Sequence, residues 1–300
     1  MSNIYRIAGR YETTNPELHN HLQISKEAIE DHIKWFQTNT NSDSPFQKFL
    51  RLYFGNGLQL EQSLNRFALT VELVKQYCPN GGSWVDEGSF CHDAILLKIL
   101  RPDIDIHLAT YEGCIIYLDE KGLHYYDGNG ERPEISMYSQ PLDIEREKLT
   151  IPSESIDLVT SFEVLEHLKY SPGYFMLEVN RLLKPNGWFV LTTPNATSAL
   201  AISSILRGMH PALCPLYHRN PEYGRIHPLE YAKNQLSDLA ISYGFDIDLL
   251  ASINMIPFDE VEKAAMKSTS HANEFGMHWL LIAKKTRPVL ELQYPASIFE

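Results

Sequence analysis

The chain has 300 residues, of which 44% are hydrophobic and 21% are charged, and its formal net charge at pH 7 is -12. This composition is typical of a globular protein and excludes an intrinsically disordered chain. An acidic surface repels phosphate backbones, so we expect no nucleic-acid partner. The N-terminus lacks a basic start followed by an apolar run, and no apolar run reaches 18 residues. We therefore expect a cytoplasmic protein with no signal peptide and no membrane span.

The first 80 residues are predicted to be helical. Ser25 is positioned to cap a helix over residues 26–38, and residues 46–53 and 62–77 carry apolar side chains at helical spacing. The Asn80-Gly81-Gly82 turn then ends this region. We predict a helical N-terminal cap over residues 1–80, followed by one domain over residues 81–300.

From Ser83 onward, short apolar strands alternate with helices. Strands are predicted at residues 83–86, 104–111, 135–142, 156–162, 188–193, 245–253 and 278–284. Helices are predicted at residues 91–100, 172–183 and 228–243. This alternation predicts an α/β fold with a doubly wound, mainly parallel, seven-stranded sheet, whose last two strands form an antiparallel hairpin at one edge. Such sheets bind ligands beyond the carboxyl ends of their strands.

The first strand is followed by a turn that suits a ligand. Asp86 and Glu87 end the strand, and Gly88 allows a close approach to the backbone before a helix begins. The amide groups at that helix start can bind an anion. Taken alone, one glycine in such a position also fits a simple turn.

Three further motifs follow in order. Ile156-Asp157 leads into Glu163-Val164-Leu165-Glu166-His167, residues 178–187 contain an E-x-x-R-L-L-K-P-N-G helix end, and residues 192–195 read TTPN. Together these motifs resemble a class I S-adenosylmethionine-dependent methyltransferase with a Rossmann-like sheet. The resemblance is clear over residues 83–195 and loose over residues 223–284. It implies S-adenosyl-L-methionine as the cofactor and a small-molecule acceptor.

The resemblance also implies which residues bind the cofactor. Asp86 and Gly88 would flank its methionine part, and Glu112 would hold the ribose. Asp143 would lie near the adenine amine, with Ile144 against the ring. Phe162 and Glu163 would line the side of the sulfonium.

Three polar residues are candidates for catalysis beside the acceptor. His167 has the pKa range of a general base, but the same position suits a structural histidine bonded to the backbone. Asn195 can orient an acceptor or close a turn. His227 can contact a saccharide acceptor or lie in a polar surface loop, and residues 223–231 are similar to a segment of sugar-modifying members. Residues 196–235 are predicted to form a lid and acceptor insertion.

Metal binding is not predicted. Cys78, Cys91, Cys114 and Cys214 form no C-x-x-C pair, and the spacing of His210, His218 and His227 fits no ligand pattern. We therefore expect reduced thiols and no metal ion.

One departure from the family pattern keeps alternatives open. Phe90 stands where the family has a second glycine. A methyltransferase fold that serves as a catalytically inactive binding or scaffold protein is therefore the alternative hypothesis. A nicotinamide-dependent oxidoreductase would require a fuller glycine fingerprint than Asp86-Glu87-Gly88 provides. The sequence does not define the oligomeric state.

Overall fold

The computed structural model describes residues 3–40, 58–88, 91–110, 114–119, 122–125, 136–217, 219, 224–268 and 274–300. The N-terminal region begins with the antiparallel pair β1 (Tyr5–Ile7) and β2 (Tyr11–Thr13), followed by α1 (Pro16–His21), α2 (Lys26–Thr40) and α3 (Leu58–Tyr77). The prediction of a wholly helical start was therefore wrong for the hairpin.

The cap predicted for α2 is confirmed. The Ala28 amide donates a hydrogen bond of 3.0 Å to Oγ of Ser25. The helix predicted over residues 62–77 lies within α3. The helix predicted over residues 46–53 falls outside the described residues.

A mainly parallel sheet forms the centre of the molecule. Its strands are β3 (Ser83–Glu87), β4 (Asp105–Thr110), β5 (Cys114–Asp119), β6 (Gly122–Tyr125), β7 (Ser136–Pro141), β8 (Ile156–Phe162), β9 (Leu183–Pro194), β10 (Phe245–Ile253) and β11 (His278–Lys285). The spatial order across the described residues is β10-β11-β9-β8-β3-β4-β7-β5-β6. The predicted seven-stranded, doubly wound sheet is confirmed. The antiparallel pair β5 and β6, which was not predicted, extends it beyond β7.

The last two strands are antiparallel, as predicted, but only one of them is at the edge. β11 lies between β9 and β10 and pairs antiparallel with both, so β10 forms the sheet edge.

The helices after β3 are α4 (His92–Leu100), α5 (Pro172–Leu182), α6 (Ala199–Leu206), α7 (Lys233–Ser242) and α8 (Glu260–Met266). The helix predicted from residue 228 begins later, at Lys233. Tyr231 forms a parallel bridge with Asn195, and Ala232 is extended, with φ −83° and ψ 163°. Tyr231 and Ala232 are therefore extended beside the end of β9 and are not helical.

Both faces of the sheet are covered by apolar side chains. Trp84 and Val85 are adjacent on β3, both are fully buried, and they belong to opposite clusters, because successive strand residues point to opposite faces. The Trp84 side packs against α2, α3 and α4, whereas the Val85 side packs against α5 and α7. The N-terminal helices thus share a core with the sheet. No helix in the described ranges is long and apolar enough to cross a membrane.

The strand order reverses direction between β3 and β8. From β3 the chain builds outward to β4 and β7, and from β8 it builds the other way to β9. Ligands bind in open parallel sheets at the carboxyl ends of the strands on either side of such a reversal. The predicted site residues after β3 and β8 therefore lie at the favoured position.

Candidate functional site

The turn after β3 requires glycine. Gly88 has φ +87°, and its amide donates a 2.7 Å hydrogen bond to the Ala109 carbonyl on β4. A Cβ atom at this position would collide with the side chain of Val164, which follows β8. The two strand-end loops are therefore packed closely enough that only a bare backbone fits between them.

Asp86 is held by a hydrogen-bonded relay across the strand reversal. The indole Nε1 of Trp84 donates to Oγ1 of Thr160 at 2.8 Å, and that hydroxyl donates to Oδ1 of Asp86 at 2.6 Å. All three side chains are buried. The carboxylate is thus fixed in orientation before any ligand arrives, as a binding group should be.

A small cavity opens beside this turn. Its walls come from α3, the start of α4 and the ends of β3 and β8, and they comprise Arg66, Phe67, Thr70, Asp86, Gly88, Asp93 and Phe162. Three predicted cofactor residues, Asp86, Gly88 and Phe162, therefore share one cavity. Arg66 and Asp93 were not predicted.

Arg66 and Asp93 give the cavity its charge. Burial raises the pKa of Asp93 to about 6, although a hydrogen bond from the Ala94 amide and the positive charge of Arg66 oppose the rise. Arg66 is half-buried on α3. The helical spacing of α3 revealed its apolar face, but no local motif distinguished this arginine from a solvated one.

Asp143 and Ile144 lie just past the end of β7, two strands from β3. Oδ1 of Asp143 accepts a 3.1 Å hydrogen bond from the Glu145 amide, which forms a local turn. Ile144 is partly buried against the cluster that contains Val85. Two strand spacings amount to about 10 Å, so these residues can contact only the far end of a ligand that begins at Gly88.

Glu163 has a strained backbone and a partly unpaired carboxylate. Its φ is +59°, which is uncommon for a residue with a side chain. Its Oε2 lies 3.5 Å from Nε2 of His278, at the start of β11. Oε1 of Glu163 and Nδ1 of His278 are buried and have no hydrogen-bond partner in the described part of the chain. His278 was not predicted, because its strand reads only as apolar.

A second polar cluster begins two residues later, in the short turn Leu165–His167. Oε2 of Glu166 accepts a 2.9 Å hydrogen bond from Oγ1 of Thr193, and Glu166 is buried. Burial raises its pKa to about 8, and the charge of Glu163 adds to the rise. Nδ1 of His167 donates to the Ile226 carbonyl at 2.7 Å. Burial lowers the pKa of His167, and the neighbouring His227 lowers it further.

His227 joins this cluster from the insertion after β9. Its ring packs edge-on against His167, with 4.8 Å between ring centroids. Its Nδ1 donates to Oε1 of Glu230 at 2.8 Å. Burial alone would lower the pKa of His227, but hydrogen bonds to Cys214 and Glu230 and the charge of Glu166 raise it to about 10.

Glu230, which was not predicted, organises the insertion. Its Oε1 also accepts hydrogen bonds from the Leu213 and Cys214 amides, at 2.7 and 3.3 Å. One buried carboxylate therefore ties three points of the insertion together, with His227 as the third.

Asn195 uses its side chain within the fold. Its Nδ2 donates to the carbonyls of Glu274 and Gly276 at 3.0 and 2.9 Å, and its Oδ1 accepts from the amide and hydroxyl of Thr197. These bonds match the turn alternative and join the end of β9 to the segment before β11. A catalytic role for Asn195 stays a prediction.

Several predictions concern residues that the structure does not describe or does not bring to the cavity. Glu112, Phe90 and His218 lie outside the described residues. The predicted lid insertion over residues 196–235 contains α6, which is capped by Ser198 and packs against Phe258 and Phe275. None of the residues lining the Gly88 cavity comes from α6, so its function as a lid stays a prediction.

The comparison with protein families agrees with this geometry. Residues 59–249 match the model of a family described as a methyltransferase domain. That range is more than half of the chain, so the chain belongs to this family of S-adenosylmethionine-dependent enzymes. The resemblance inferred from the motifs is confirmed.

Individual relatives are distant or short. A Mycolicibacterium smegmatis protein described as an S-adenosylmethionine-dependent methyltransferase is 42% identical over 48 residues, which are 16% of this chain and 18% of that protein. A methyltransferase structure from Archaeoglobus fulgidus is 15% identical, with a TM-score of 0.46, and covers 81% of this chain and 100% of its own. A methyltransferase structure from Methanosarcina mazei is 16% identical, with a TM-score of 0.43, and the match covers 71% of this chain and 96% of that one.

Proposed function

We propose that this protein transfers the methyl group of S-adenosylmethionine to a hydroxyl group of a small-molecule or saccharide acceptor. The observation that carries the proposal is the Gly88 cavity. It lies at the reversal of strand order, contains both charges needed for an amino acid, and adjoins a cluster of histidine and glutamate side chains.

The charged groups around Gly88 match the methionine part of this cofactor, but the cavity itself has a volume of about 20 Å³ and must open to admit it. At Gly88 the direction of a Cβ is occupied by Val164, so glycine allows the two strand-end loops to close together at the edge of the cavity. Arg66 would pair with the carboxylate of the methionine part, and Asp86 with its ammonium group. Oε1 of Glu163, which is buried and has no hydrogen-bond partner among the described residues, would lie on the side of the positive sulfur. Asp143 would accept a hydrogen bond from the adenine amine.

When bound, this cofactor supplies a methyl group that is already activated by the positive charge on sulfur. The chain's own task is therefore to align the acceptor oxygen and to allow its proton to leave. Because Nδ1 of His167 carries the proton donated to Ile226, the lone pair of this ring is on Nε2. The His167 side chain is 49% exposed, so an acceptor can reach it. We infer that the hydroxyl proton is removed at this cluster.

A saccharide is a suitable acceptor because the insertion around His227 is polar at its centre. Arg225 lies beside His210, with 3.3 Å between Nη2 and Nε2, and Glu230 and His227 form a charged pair. Such groups can hydrogen-bond several hydroxyls of one ring at once.

Two measurements test the proposal. Calorimetric titration with S-adenosylmethionine should show saturable binding, and a transfer assay with a labelled methyl group should label hydroxyl-bearing acceptors. His167→Ala should lower kcat by about 10²- to 10⁴-fold and leave the cofactor Kd unchanged. His19→Ala, which removes an exposed histidine from α1, is the matched control. Absence of cofactor binding would support the inactive scaffold instead, and labelling of amines alone would contradict the hydroxyl acceptor.

A further inference from the structure

The cluster beside the cofactor cavity has the composition of a metal-ion site. Glu166, His167 and His227 each offer one ligand atom, and these three atoms lie within 4.8 Å of one another. Nε2 of His167 and Oε1 of Glu166 are 3.9 Å apart. Glu166 and His227 are buried, whereas His167 is open to solvent on one side. A cation placed here would be enclosed on two sides and accessible on the third.

Each of the three side chains makes a hydrogen bond that orients it, and a bound metal ion would displace the second ring proton of His227, which Cys214 and Glu230 stabilise in its absence. Nδ1 of His167 donates to the Ile226 carbonyl at 2.7 Å, and Nδ1 of His227 donates to Glu230 at 2.8 Å. Oε2 of Glu166 accepts from Thr193 at 2.9 Å. Histidine ligands of metals characteristically donate their second ring N–H to a carbonyl or carboxylate, and ligating carboxylates are themselves hydrogen-bonded. All three supports are present in this chain.

We propose that Glu166, His167 and His227 bind one Zn²⁺ ion. Two imidazoles and one carboxylate form the ligand set of catalytic zinc sites, which keep a fourth position open. Ligand bonds of about 2.0–2.1 Å require ligand atoms about 3.3 Å apart in a tetrahedral site. The widest separation is 4.8 Å, so binding needs an inward movement of about 1.5 Å in total. Rotation of the exposed His167 ring can supply this.

The open position would face the solvent side of His167, where the acceptor enters. An acceptor hydroxyl that coordinates there through oxygen becomes more acidic, and its proton passes to water. The oxygen then forms its bond to the methyl carbon as the bond from carbon to sulfur breaks, leaving the neutral thioether. This catalytic use rests on the proposed function, whereas the binding of the ion does not.

Metal titration of the 300-residue chain tests the site directly. Protein treated with a chelator and then dialysed should bind one equivalent of Co²⁺ with a visible absorption band, and Zn²⁺ should displace it. His227→Ala and Glu166→Gln should each abolish the band. Glu230→Gln removes only the support of His227 and should weaken Co²⁺ binding by about 10- to 100-fold. His210→Ala should leave binding unchanged, because His210 contacts Arg225 and the Ala212 amide instead.

Parallel titrations with S-adenosylmethionine show whether each variant is folded. A variant that binds the cofactor normally but not Co²⁺ supports the metal site. Absence of saturable Co²⁺ binding by the parent protein, or equal binding by His227→Ala, would overturn it. Co²⁺ binding without cofactor binding would instead refute the proposed methyl transfer and leave the metal site standing.

Discussion

Glu87 makes the stability of this protein depend on pH in an unusual direction. Its side chain ends β3 on the face opposite Asp86 and is 1% exposed. Neither carboxyl oxygen has a hydrogen-bond partner in the described residues. Burial raises its pKa from 4.5 to about 8, and the nearby charges of Glu178 and Asp86 add to the rise.

The sign follows from proton binding. Between pH 4.5 and 8 the unfolded chain carries an ionised Glu87, whereas the folded protein keeps this group protonated. The folded state therefore binds more protons, and the free energy of unfolding falls as pH rises, by about 1.4 kcal/mol per unit. Below pH 4.5 both states are protonated and the effect vanishes. This titration lowers the free energy of unfolding by about 3 kcal/mol at pH 7 and by about 1 kcal/mol at pH 5.

Replacing Glu87 with glutamine removes this titration. The free energy of unfolding of Glu87→Gln minus that of the parent protein should be about 2 to 3 kcal/mol larger at pH 7 than at pH 5. The substitution thus stabilises the folded protein more at the higher pH. Urea denaturation at the two pH values measures this difference, and any constant effect of the amide cancels. Glu291→Gln makes the same chemical change at an exposed position and should show no such difference. Equal stability changes of Glu87→Gln at both pH values would refute the reasoning.

Three other substitutions test the cofactor cavity and its frame. Gly88→Ala should abolish cofactor binding in a calorimetric titration, because the new Cβ collides with Val164 and the backbone has φ +87°. Gly208→Ala is the control, since this residue has φ +71° but open space around it. It should lower the free energy of unfolding by only about 1–2 kcal/mol. Arg66→Gln should raise the Kd for the cofactor by at least about 10-fold, since it removes a charge-assisted contact. An unchanged Kd would contradict the pairing of Arg66 with the cofactor carboxylate. Asn195→Ala should lower the free energy of unfolding by about 2–4 kcal/mol in urea denaturation while leaving the cofactor Kd unchanged.

The sheet could be predicted because its signals are local. Each central strand is a short apolar run bounded by turn residues, and the motifs after β3, β8 and β9 fix their order. The pair β5 and β6 was missed although its signal is local, since residues 114–118 form an unbroken apolar run and residues 119–122 read DEKG, which suits a turn. The late start of α7 was missed because the bridge between Tyr231 and Asn195 is a contact between distant parts of the chain.

Part of the candidate site could likewise be anticipated from local motifs. Asp86, Gly88 and Phe162 follow strands that carry motifs, and they share one cavity. Arg66 and His278 reach the strand ends from elements whose sequences show only apolar patterns. Glu87 could be placed at the end of a strand, but its burial beside Glu178 depends on the packing of α5, which the sequence does not show. Long-range packing, which a single sequence does not encode in short motifs, accounts for these gaps.

The segment from Phe162 to His167 connects the two halves of the site. Phe162 lines the cofactor cavity, Val164 packs against Gly88, and Glu166 and His167 face the insertion. Under the proposed function, this short turn couples the position of the sulfur to that of the acceptor oxygen, because both would contact it. The insertion contributes His227, anchored through Glu230, from outside this turn. On this proposal, changes in the insertion would alter the choice of acceptor without disturbing the Gly88 cavity, which would separate the specificity of the chain from its chemistry.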